Sequence, residues 1–252
     1  MWLARKLGID KSIAYTSAGQ IVSAGGGFLT ALFILKCLSA EEQGYYYTFK
    51  NILSIQVFFE LGMNTVITQY AAHEVAHLRW KGTRLAGESR FQSRLSSLMH
   101  FCTKWYTFFS AVLLLTLVFG GQFYFQKYGD SNGNIEWKTP WLILCVTTAL
   151  NLLLTPIFSY LQGLGKVKEV AKYYFYKYTF YLISVLTAFS LGAKLYALSI
   201  GNIMYILVSL YFLLGSPLGK IICHIYHHPV TERISYIKEI LPFQWKIAVS
   251  WI

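Results

Sequence analysis

Apolar residues run along this chain in long, nearly unbroken blocks. They show neither the strict alternation of half-buried strands nor the one-sided period of a surface helix. A helix needs about 20 apolar residues to cross a hydrocarbon core roughly 30 Å thick. Six blocks meet that requirement, at residues 12–38, 41–72, 98–120, 140–163, 173–191 and 195–215, and a seventh opens at Pro242. The blocks are too continuous for the ten-residue alternating strands of an outer-membrane barrel. The pattern predicts an all-α fold, a polytopic membrane helix bundle with six transmembrane helices plus the start of a seventh. It divides the chain into a six-helix lobe over 1–215, a cytoplasmic linker over 216–240 and the start of a truncated seventh helix over 241–252. No small-residue cleavage site follows the first block at a suitable distance, so that block is not read as a removable signal.

Composition sharpens this picture. Of 252 residues, 55% are hydrophobic and only 13% charged, where an average soluble domain carries roughly a quarter charged residues. So few charges cannot cover a water-soluble globule of this size. An ordinary cytosolic enzyme, a disordered chain and a secreted disulfide scaffold are therefore poor fits. The net charge of +11 would point to nucleic acid in a soluble chain. Here the basic residues lie between apolar blocks, so they read as orientation signals and contacts for the lipid bilayer, with no nucleic-acid partner. With the N-terminus inside, only Lys36, Lys50, Lys127, Lys138 and Lys194 fall on the outer side, and every other Lys and Arg falls inside. The positive-inside rule then makes 73–97 and 216–240 cytoplasmic. Cys37, Cys102, Cys145 and Cys223 form no Cys-x-x-Cys pair. They read as buried, reduced thiols, and neither a metal nor another cofactor is expected.

Local signals refine the joints. Ser39 and Glu42 make a capping box at the start of the second block, residues 129–134 are a turn-rich outer loop, and Gly163-Leu164-Gly165-Lys166 ends the fourth helix. Leu78, Leu85, Phe91 and Leu95 among Arg and Ser predict an amphipathic helix lying on the inner membrane surface over 78–97. In the first block Ser12, Thr16, Gly19, Ser23, Gly26 and Thr30 follow steps of three and four. They form a small-residue stripe that either packs another helix closely or lines a cavity, and Gly25-Gly26-Gly27 is a place to bend. In the second block Lys50, Ser54, Asn64 and Thr68 share a face with Glu60 at its edge. Glu60 falls about 15 Å inward of Lys50 along a continuous helix. A carboxylate at that depth costs several kcal/mol unless paired, so it marks an ion or substrate path or is bonded to another helix. Lys36 and Lys50 can both snorkel to the outer interface.

His73-Glu74-Val75-Ala76-His77 matches the zinc-protease pattern, with histidines at i and i+4 and a glutamate to activate water. A catalytic zinc also needs a third protein ligand and an open position. Glu88 and His100 lack the spacing of a known class, so no catalytic or metal-binding residue is assigned. An intramembrane zinc metalloprotease using His73, Glu74 and His77 stands as a competing reading. The His224, His227 and His228 cluster reads as interfacial solvation.

Three stretches together resemble the bacterial oligosaccharide flippases, the O-antigen and polysaccharide exporters of the multidrug/oligosaccharidyl-lipid/polysaccharide superfamily. They are Leu38-Ser39-Ala40-Glu41-Glu42-Gln43-Gly44-Tyr45-Tyr46-Tyr47-Thr48-Phe49, then Glu60-Leu61-Gly62-Met63-Asn64-Thr65-Val66-Ile67-Thr68-Gln69-Tyr70-Ala71-Ala72-His73-Glu74, then Leu161-Gln162-Gly163-Leu164-Gly165-Lys166-Val167-Lys168-Glu169-Val170. The resemblance covers the chain as the family's N-terminal lobe. It implies two six-helix lobes around a cavity open to one leaflet at a time, in the bacterial inner membrane. The implied substrate is a polyprenyl-pyrophosphate-linked oligosaccharide, an O-antigen or polysaccharide unit of lipopolysaccharide biosynthesis, moved outward without covalent chemistry. On that reading Lys50 and Lys36 attract the pyrophosphate, Glu60 couples a proton or orders the cavity, and Gln20, Asn64 and Gln69 bind sugar hydroxyls. Family members are about twice this length, so the chain is expected to need a missing C-terminal lobe or a second copy, and not to be competent alone. A cation-coupled drug exporter of the same superfamily and a non-transporting remnant also compete with this reading.

Overall fold

The computed structural model describes residues 10–60, 62–129, 135–232, 234 and 240–250. The fold is nearly all-α. In chain order the elements are α1 (Lys11–Cys37), α2 (Ala40–Leu53), α3 (Gln56–Glu60), α4 (Met63–Val75), β1 (Leu78–Lys81), β2 (Arg84–Gly87), α5 (Ser89–Tyr128), α6 (Lys138–Gly163), α7 (Val167–Ser190), α8 (Tyr196–Leu214), α9 (Pro217–Tyr226) and α10 (Leu241–Ser250). Most of the predicted outer loop, residues 130–134, lies outside the described residues, as do residues 1–9 of the predicted lobe.

Among the described residues four helices, α1, α5, α6 and α8, are long and apolar enough to cross a membrane. The chain therefore has the character of a membrane protein, while six spans and a seventh are not all met by length and apolarity. The fifth block does form the 24-residue helix α7. Lys168, Lys172, Lys177 and a run of tyrosines deny it the span-length apolar stretch that the other four contain. α10 has 10 residues, about 15 Å of helix and half a span.

Two expectations are corrected. The second block is not one helix but three pieces. α2 stops at Leu53, where the Ser54 hydroxyl donates 2.6 Å to the Asn51 carbonyl, a local bond that competes with helix propagation. α3 ends at Glu60, and Gly62 takes a left-handed φ of 70° before α4, a conformation glycine adopts without strain. The second correction concerns 78–97, where a hairpin replaces the amphipathic helix. Leu78 pairs with Gly87 and Lys81 with Arg84, antiparallel. The loop is Gly82-Thr83, with Gly82 at φ 65°, as a type II′ hairpin turn needs. The long helix α5 begins only at Ser89.

The chain divides into two compact units. One holds residues up to 56, 110–151 and 171–209. Its core is an aromatic cluster in which Phe49, Phe125 and Trp141 meet with ring centroids 5.1–5.3 Å apart. Gly121 lies flat against the Trp141 indole. α2 starts as predicted. The Glu42 N–H donates 3.2 Å to Ser39 Oγ, and the Ser39 N–H donates 2.9 Å to Glu42 Oε2. The other Glu42 oxygen, Oε1, pairs with Lys194 Nζ at 2.7 Å. α1 continues as one helix through Gly25-Gly26-Gly27.

The other unit holds 57–109, 152–170 and 210–252. Gly163 seats α6 against α4, because a Cβ there would collide with the Thr68 carbonyl oxygen. Thr68 also donates to the Ser159 carbonyl at 3.0 Å. α6 ends in a Schellman turn, in which Lys166 N–H reaches the Leu161 carbonyl, Gly165 N–H reaches Gln162, and Gly165 has φ 80°. The 216–240 region is more than a linker. It contains α9, and the Ser93 hydroxyl on α5 accepts the Thr231 and Glu232 N–H groups at 2.8 Å each. All four cysteines are free, with Cys102 and Cys145 buried as expected. Cys223 is exposed, because α9 turns only Leu218, Ile221 and Ile225 inward.

Candidate functional site

Within the first unit α1, α2, α7 and α8 enclose a cavity of about 300 Å³. Its walls are unlike each other. α1 contributes Ser23, Gly26 and Thr30 of the small-residue stripe with Gly27 beside them, and the facing wall is Tyr46, Tyr47, Tyr178, Tyr181 and Tyr205 with Lys50 at its rim. The stripe therefore fills both roles expected of it. Gly19 lies against the Phe175 backbone and Gly26 against Leu182, while Ser23 and Thr30 face the cavity. Tyr181 and Tyr205 stack with centroids 4.4 Å apart. Lys177 Nζ sits 4.6 Å from the Tyr205 ring centroid on the same cluster, a cation–π distance. Lys50 Nζ lies 6.0 Å from the Tyr46 centroid. No acidic side chain is within 4 Å of it among the described residues.

Within the second unit the polar face of α4 is organised around the helix break. Asn64 Nδ2 donates 2.8 Å to Glu60 Oε2, and Tyr106 on α5 donates 2.9 Å to Asn64 Oδ1. A carboxylate at the end of a broken helix is thus held half-buried by a chain of hydrogen bonds, the arrangement that makes such a charge tolerable in an apolar segment.

The six residues expected in the substrate path separate accordingly. Lys50 borders the cavity, and Glu60 and Asn64 form the bonded network of the second unit. Lys50 lies on α2, Ser54 at its C-terminal end, and Asn64 and Thr68 on α4, so the four do not lie on one continuous helix. Gln20, Lys36 and Gln69 are exposed and belong to neither cluster. The tyrosines and Lys177 are the residues that sequence reasoning missed. Their signal is the run Tyr173-Tyr174-Phe175-Tyr176-Lys177-Tyr178-Thr179-Phe180-Tyr181, which puts Tyr178 and Tyr181 on one helix face. Nothing local marks Tyr205.

The zinc-like pentapeptide has a different geometry. α4 ends at Val75, before His77, whose ring stacks on Phe91 at 4.2 Å. Glu74 is 1% exposed, and its Oε1 takes Arg94 Nε at 2.9 Å. Among the described residues no three His, Cys, Asp or Glu side chains come together as a metal site. His100 stacks on Tyr226 at 4.2 Å instead. Compared with protein-family models, curated proteins and solved structures, the chain matches none of them.

Proposed function

We propose that this chain is the N-terminal lobe of a lipid-linked oligosaccharide flippase of the bacterial inner membrane. In this reading it has six spans, a cytoplasmic N-terminus and a seventh helix beginning near Pro242. It acts without covalent chemistry or cofactor, and it works with a C-terminal lobe or a second copy. The observation that carries the reading is the cavity of the first unit. Tyrosine rings offer stacking faces for the C–H surfaces of sugars, and phenol hydroxyls with Ser23 and Thr30 offer hydrogen bonds to sugar hydroxyls. Lys50 offers an uncommitted ammonium for the pyrophosphate. At about 300 Å³ the cavity is at the lower end for small-molecule sites. In this reading it takes the pyrophosphate with its nearest sugar, while the prenyl chain stays in lipid.

The test is binding of a polyprenyl-pyrophosphate disaccharide to the detergent-solubilised chain. A hydrogen bond to a charged group is worth about 1.5–3 kcal/mol, so Lys50→Gln is expected to weaken binding by about tenfold or more. Unchanged binding contradicts the reading. The Glu60–Asn64–Tyr106 network favours a second reading, the cation-coupled drug exporter. Binding of a lipophilic cation that survives Lys50→Gln and is lost with Glu60→Gln would select it.

A further inference from the structure

The cations at the start of α5 are matched by acidic side chains within the second unit. Arg90 Nε pairs with Glu232 Oε2 at 2.9 Å, and Arg94 pairs with Glu74. The hairpin just before them is different. Arg79, Lys81 and Arg84 are all exposed, and none has an acidic side chain within 4 Å among the described residues. The register also places Lys81 directly opposite Arg84. Like charges facing each other across an antiparallel pair destabilise it, so this hairpin is built around a repulsion that no ion pair among the described residues relieves.

The hairpin is nevertheless rooted firmly. Leu78 and Leu85 are buried at 8% and 6% exposure. Trp80 is half-buried with Lys166 Nζ 3.8 Å from its ring centroid. At the tip, Gly82 has open space around it. Two buried leucines, an indole held by a lysine and three outward cations thus occur within one short hairpin. They join α4 to α5, a helix long and apolar enough to span a membrane. Tryptophan and basic residues beside a span are what the headgroup layer selects.

We propose that the β1–β2 hairpin binds anionic phospholipid headgroups, with Arg79, Lys81 and Arg84 as its cationic contacts. The inference rests on the membrane reading of the chain but needs neither the sugar substrate nor the cavity. A headgroup phosphate between Lys81 and Arg84 turns their repulsion into two attractions. Lipid is the complement favoured here because the cations sit directly before a membrane-length helix. A soluble phosphate would not require the anchored tryptophan.

The experiment is native mass spectrometry of the full chain released from detergent with phosphatidylglycerol or phosphatidylcholine added. Each cation near an anionic surface contributes about 1 kcal/mol. The triple change Arg79→Gln, Lys81→Gln and Arg84→Gln is therefore expected to cut phosphatidylglycerol retention by about tenfold or more. Phosphatidylcholine retention should be unchanged. Neutralising Lys11, Lys127 and Lys138 to glutamine, which removes as many charges elsewhere, should leave both unchanged. Lys81→Gln alone should give about a fivefold fall, which keeps the test available if the triple variant does not fold. Equal loss in the two triple variants overturns the proposal, as does displacement of the lipid by millimolar inorganic phosphate. No sugar lipid is present, so failure here is distinct from failure of the Lys50 binding test.

Discussion

Arg94→Ala will destabilise the chain by about 3–5 kcal/mol, read as a shift in denaturant-induced unfolding in detergent micelles. Glu74 is 1% exposed, and Arg94 is the cation bonded to its Oε1. Its Oε2 is buried without a hydrogen bond. The largely exposed His73 ring lies 3.6 Å from Oε1, beyond hydrogen-bond distance, so it does not replace the guanidinium. Removing Arg94 therefore leaves a carboxylate in a low-dielectric site, and such a group costs far more unpaired than the pair gained on forming. Rescue should follow from the same cause. Replacing both residues, Glu74→Met with Arg94→Met, should recover most of the lost stability, because an apolar pair of similar volume needs no compensation. The coupling between the two changes is then the measured quantity. Unfolding left nearly unchanged by Arg94→Ala would mean that the pair does not hold Glu74 in its buried site.

Gly163→Leu will have the other large effect. Even an alanine Cβ there collides with the Thr68 carbonyl oxygen and meets the Ala71 Cβ at 2.7 Å. Backbone atoms cannot rotate away as a flexible side chain can, so α4 and α6 must separate. Overpacking of this kind costs about 1–3 kcal/mol for the first added carbon, and leucine adds three more. Gly25→Ala is the matched control, since nothing lies within 4 Å of its added carbon. It should be neutral or stabilise α1 by up to about 1 kcal/mol through helix propensity. Equal losses at the two positions would mean that glycine flexibility, not the close approach of α4 and α6, is what Gly163 supplies.

The features legible in the sequence are those written in consecutive residues. Blocks of apolar residues locate α1, α6 and α8 to within a few positions. The Ser39–Glu42 box and the Gly165 turn follow from local chemistry and form as expected. The breaks in the second block are written more faintly. Ser54 and Gly62 are each tolerated in a membrane helix, and only together, flanking a five-residue piece that ends on Glu60, do they stop it. The hairpin escapes a helical reading because Leu78 and Leu85, seven apart, satisfy a helical period. Across a two-residue loop opened by Gly82, the same two leucines fall on one inward face of a hairpin. The cavity is the least legible. Lys50 stands out as a charge in an apolar block, but its tyrosine partners on α7 and α8 lie more than 100 residues away. Separation hides Arg94 from Glu74 less completely, since they are 20 positions apart.

The measurement that bears most directly on the central claim is site-specific photo-crosslinking with a polyprenyl-pyrophosphate oligosaccharide. A photo-reactive phenylalanine analogue would replace Tyr47, which lines the cavity, or Phe119 on α5, which is 66% exposed and lies outside it. The expected result is that the sugar moiety is labelled from position 47, that unlabelled substrate competes this away, and that position 119 labels only prenyl or lipid chains. Absence of sugar labelling from position 47, or equal sugar labelling from both positions, would contradict the flippase reading.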